Sequence, residues 1–129
     1  MQTNGGKDLV AAAVGSTSQP AAANYMALTA NSTAPAATDT ALAGEITTAG
    51  GGLVRAQATY AHTTGQSTFT LTKSYTTNGS DSLPVTLAKI GILNASSGGT
   101  LAFETLLNAT ATLNVSGDQF VCTETITQA

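Results

Sequence analysis

Residues 39–60 read DTALAGEITTAGGGLVRAQATY, which places a carboxylate (Glu45), three consecutive glycines (residues 50–52) and a guanidinium (Arg55) within a dozen positions. A glycine-rich loop flanked by an acid and a base is a pattern suited to phosphate or anion binding. A phosphate loop, however, needs GxxxxGK followed by Ser or Thr, set between a strand and a helix. Here the glycines run into Leu-Val-Arg and then a strand pattern, so no helix N-terminus faces the loop. The glycines therefore read as a flexible turn. Glu45 and Arg55 read as a structural clasp, a bidentate bridge tying the piece before the glycines to the first long strand.

The other reactive residue types are sparse. His62 is the only histidine and Cys122 the only cysteine, so neither an intrachain disulfide nor a cysteine-based zinc site can form. His62 falls at a strand end and has no recognisable carboxylate partner. Cys122 falls in an alternating run beside Phe120, where a buried, inert thiol is expected. No Ser–His–Asp set or carboxylate pair has a spacing that supports hydrolysis, so an enzyme is not expected, nor is a cofactor or metal. Five N-x-S/T sequons, at Asn31, Asn78, Asn94, Asn108 and Asn114, follow from the abundance of Ser and Thr.

Four Lys+Arg against seven Asp+Glu give a net charge of -3, which argues against nucleic acid and anionic membranes as partners. Charged residues are 9% of the 129-residue chain, while Ala and Thr together make up about a third of it. A surface so poor in charge suits a particle component or extracellular protein better than a cytosolic enzyme, and a surface facing neighbouring subunits also needs few charges. No apolar run approaches the length of a membrane span, and LVAAAVG at residues 9–15 only weakly resembles a signal-peptide core.

These residues must be positioned by a framework, and its period is two. Residues 1–23 hold little to bury and read as an extended N-terminal arm, with Leu9, Val10, Val14 and Pro20 as partner-binding contacts. The domain proper, residues 24–129, begins with NYMALT. Next, residues 39–46 form a short helix or turn capped by Asp39. The run LVRAQATYAH puts Val54, Ala56, Ala58, Tyr60 and His62 on one face, and TTGQ joins it as a hairpin to STFTLTKSYT. PVTLAKIGILN, GTLAFETLL, ATLNV and QFVCTETIT complete about seven strands. The spacing predicts an all-β chain, a single antiparallel β-sandwich of jelly-roll or Ig-like type.

The pieces YMALTANSTAPAATDTALAGEI, GGLVRAQATY and TLTKSYTTNGSDSLPVTLAKIGILNASSGGTLAFETLL, in that order, resemble a group of small tailed-bacteriophage virion proteins and tail- or collar-fibre-like domains. The resemblance covers about four-fifths of the chain and omits the arm. Where that group often has an acidic residue before the IG strand, this chain has Ala88-Lys89, so the group's salt bridge is not expected here. The resemblance implies a non-enzymatic β-sandwich on the exterior of a virion. Its implied partners are itself, as a homotrimer, and either the major capsid protein or a neck or tail protein. Capsid decoration, a tail, collar or fibre role, and a host-surface or glycan-binding module are the functions it leaves in competition.

Overall fold

The computed structural model describes residues 1–128. Seven strands, β1 (Tyr25–Thr29), β2 (Ala56–Gln57), β3 (Thr59–His62), β4 (Thr68–Thr76), β5 (Val85–Leu93), β6 (Leu101–Leu113) and β7 (Gln119–Thr127), form two antiparallel sheets. The first has the order β2-β1-β5-β6 and the second β3-β4-β7. Their inner faces enclose a core that includes Met26, Leu28, Leu71, Tyr75, Ile90 and Ile92. The fold is therefore the expected antiparallel β-sandwich.

The count of seven is reached by a different division of the chain. The run at residues 53–62 splits at Ala58: its first part pairs with β1 and its second with β4, in opposite sheets. Ala58 is buried at the crossing, and its N–H donates to the Asn24 carbonyl at 2.8 Å. Tyr60, expected to share a face with Ala58, is 59% exposed on the edge strand β3, whereas Ala58 is buried. Conversely, GTLAFETLL and ATLNV form one strand, β6. Its pairing with β5 steps from Leu106 opposite Lys89 to Ala111 opposite Leu87, so residues 107–110 oppose the single residue Ala88 in a multi-residue bulge. The alternation breaks at this bulge without the strand ending.

Thr70, Thr72, Thr123 and Thr125 face outward in register across β4 and β7, joined by Thr59 of β3. This surface has hydroxyls and methyl groups in place of charge. The outer face of the first sheet is covered. Residues 30–45 cross it, and Leu42 sits over Gly91 in a second apolar cluster with Ala27, Leu93 and Leu101.

The N-terminal segment is not extended. Residues Asn4–Gly15 form a helix, α1. Thr3 caps it by accepting from Gly6 N at 3.0 Å, and the helix closes with Ser16 N donating to Ala12 O. The physical reason is local: KDLVAAAV at residues 7–14 has high helix propensity, and Thr3 is a favourable cap. The paired glycines argue against a helix on propensity alone. Here they occupy the first turn, where a Cβ at Gly6 would run into the Ala102 carbonyl. Residues 39–46 form turns rather than a helix, with the Asp39 carboxylate accepting from Ala36 N at 2.9 Å.

Candidate functional site

The structure joins Glu45 and Arg55. Arg55 Nε donates to Glu45 Oε2 at 2.8 Å and Nη2 to Oε1 at 2.6 Å, with the two side chains 11% and 15% exposed. Arg55 Nη1 also donates to the carbonyls of Ala95 (3.0 Å) and Gly98 (2.8 Å) in the turn between β5 and β6. Glu45 is itself held by an antiparallel bridge to Thr29, continued by Ile46 N donating to Leu28 O. The clasp thus pins three segments: the turn after residue 42, the entry to β2, and the β5–β6 turn. A guanidinium has five N–H donors, and these contacts occupy four of them. Little donor capacity remains for a ligand, so the geometry supports positioning rather than anion capture.

The glycine loop does hold an anion, and it is the chain's own. Asp81 Oδ2 accepts from Gly52 N at 2.9 Å and Asn78 N at 2.8 Å, while Asn78 Nδ2 donates to Gly50 O. Gly50 has φ +74, and a Cβ at Gly52 would strike the Thr76 carbonyl. Glycine is needed here for backbone shape and close approach. A solvent-facing hollow of about 280 Å³ lies between these features, lined in part by Glu45, Leu53 and Asp81.

His62 is exposed, and its Nδ1 lies 2.9 Å from the Thr68 carbonyl, which assigns the proton to Nδ1. Cys122 is buried, and burial pushes its thiol up to about 11, so it carries no thiolate at neutral pH. Tyr75 is buried with its hydroxyl donating to Met26 O at 2.7 Å, and burial raises its pKa. Among the described residues no group of three or more His, Cys, Asp or Glu is placed to hold a metal. No described helix is long and apolar enough to cross a membrane.

Two arrangements were missed by the sequence reading. Lys89 and Glu104 face each other on the covered side of the first sheet, 2% and 1% exposed, with Nζ and Oε1 3.6 Å apart. Lys89 Nζ donates to Thr33 O, but neither Glu104 oxygen has a hydrogen-bond partner in good geometry. Burial, reinforced by Asp39 and opposed by Lys89, raises the Glu104 carboxyl above its ordinary value. The signal was present: in TLAKIGIL and LAFETL a charge interrupts each apolar run.

The second is the seat of the N-terminal segment. Gln2 bridges Phe103 antiparallel, with Thr3 N donating to Ala102 O at 3.0 Å and Glu104 N donating to Met1 O at 2.9 Å. The Thr3 hydroxyl also donates to the Leu101 carbonyl. These residues extend the first sheet past β6 and hand the chain to α1. Of the four arm residues, Leu9 and Pro20 are half-buried, whereas Val10 and Val14 are 50% and 85% exposed. No protein family's sequence pattern matches the chain, and no curated protein matches it.

Proposed function

We propose that the chain is a non-enzymatic structural protein on the exterior of a tailed-bacteriophage particle, acting as a capsid decoration protein. In this reading a homotrimer sits on the major capsid protein and holds adjacent capsomers. The observation that carries it is the N-terminal segment. It combines an antiparallel bridge at the edge of β6 with a helix that leaves Val10 and Val14 exposed, on a sandwich whose second sheet has an outer face of threonine rather than charge. Strand addition and helix docking are both established ways of gripping another chain. The resemblance of residues 24 onward to small virion proteins supports the same reading.

Copy number tests it. Quantitative mass spectrometry of purified particles should find hundreds of copies per virion for a decoration protein, and a few to a few dozen for tail or collar. Absence from particles would overturn the reading.

A tail, collar or fibre role with host-surface or glycan binding is the second reading. It is favoured by Tyr60, 59% exposed, with its ring centroid 5.7 Å from that of Phe69 and the two rings tilted 45° to each other. Such a ring pair can receive a sugar face. This reading requires saturable binding of the protein to host cells or a glycan array, and silence in both would remove it.

A further inference from the structure

The geometry points to the N-terminal bridge and helix, residues 1–15, as an exchangeable clip that seats on β6 of a second copy of this chain. The inference rests on the assembly reading above and names its contact.

The acceptor consists of backbone groups: the carbonyls of Leu101 and Ala102, the N–H and carbonyl of Glu104, and beside β6 the carbonyl of Ala37, met by Met1, Thr3 and Asn4. Such a seat is the same on every copy and does not depend on which copy supplies the clip. The tether permits exchange. Residues 16–24 form neither helix nor strand and are largely exposed. Nine residues can span about 30 Å when extended, enough to reach an adjoining protomer.

The clip is anchored at the buried Thr3, while its helical part is lightly held on its own copy. Gly6 is the only buried residue of α1, and the exposed Val10 and Val14 gain cover only from another surface. A net charge of -3 leaves little long-range repulsion between copies. A short flexible tether gives the clip an effective concentration of about 1 mM at its own seat, so exchange prevails where copies crowd to that level, as on a lattice.

The test is a disulfide trap in the full chain. Gln2 and Phe103 form a non-hydrogen-bonded antiparallel pair, flanked by the bonds Thr3 N to Ala102 O and Glu104 N to Met1 O. Such pairs have close Cα atoms, suited to a disulfide. The Gln2→Cys/Phe103→Cys variant is oxidised across a concentration series after mixing light and isotope-labelled protein. The expected result is linkage at every concentration, with the mixed-label share rising almost tenfold between about 10 and about 100 µM. A second variant lacking residues 19–22 should increase the mixed-label share, because a shortened tether strains closure on the same copy. Intrachain linkage alone in both variants, or no linkage in either, would overturn the proposal. Neither result bears on particle copy number, so the clip and the virion reading fail separately.

Discussion

Arg55 does its work through geometry that lysine cannot copy. Its planar fork meets both oxygens of Glu45, and the remaining nitrogen spans two carbonyls of the β5–β6 turn. Removing Glu45 leaves a partly buried cation without its partner, and hydrogen bonds to charged groups contribute about 1.5–3 kcal/mol each way. Glu45→Ala should therefore lower unfolding stability by about 2 kcal/mol in urea titrations. Arg55→Lys should recover only part of the loss that Arg55→Ala causes. A variant of either residue with unchanged stability would mean that the clasp is a surface ion pair of little consequence. This pair was legible in the sequence because an acid and an arginine flank a loop short enough to fold back. Lys89 and Glu104 were harder to pair, since 15 positions and an unknown register separate them. Only the β5–β6 alignment, Gly91 opposite Glu104 and Lys89 opposite Leu106, makes them diagonal neighbours.

Among the elements, the strands were legible and the connections between sheets were not. Period two reports which residues point inward, but not which sheet a strand joins. The run through Ala58 looks continuous because the chain stays extended as it changes partners. In β6 the opposite happens: the alternation fails at residues 107–110 while the strand continues past a bulge. Helix α1 was read as an arm because residues 1–23 hold little to bury, and Gly5 and Gly6 lower helix propensity besides. They serve instead to bring the first turn against residues 100–102. Gly6→Ala places a methyl group against the Ala102 carbonyl and should dislodge residues 1–15, at least tenfold faster in amide exchange. The global melting temperature should change little, since the sandwich core does not include α1. Unchanged exchange in residues 1–15 would show that the seat tolerates a side chain.

For the molecule as a whole, three carboxyl groups set opposing responses to acid and alkali. Glu104 is raised above its ordinary 4.5, by burial first and then by Asp39. A raised folded value means that the stabilising contribution is full below the unfolded value and is lost as pH rises through the folded one. Asp39 is lowered below 3.8, chiefly by the backbone N–H of Ala36. Asp118 is lowered below 3.8 by the N–H groups of Val115 and Asn114. Their contributions are present above 3.8 and are lost as pH falls. The melting temperature should peak in mildly acidic solution and decline on both sides. In Glu104→Gln the alkaline decline should flatten while the acid decline stays. Circular dichroism melts from about pH 3 to about pH 8 would measure both limbs. An alkaline limb identical in the variant would assign it to another group.

The passage of the chain through Ala58 has a mechanical consequence. β2 belongs to one sheet and β3 to the other, with only this residue between them. Ala58 is also tied by its N–H to Asn24, the residue before β1. Two layers that met only through side chains could glide past each other under load. Here any sideways slip must stretch a single, already extended peptide step and break the hydrogen bond beside it. The crossing acts as a shear pin, so a force along the sheet planes meets a covalent link as well as the packing of the core and the Tyr75–Met26 hydrogen bond.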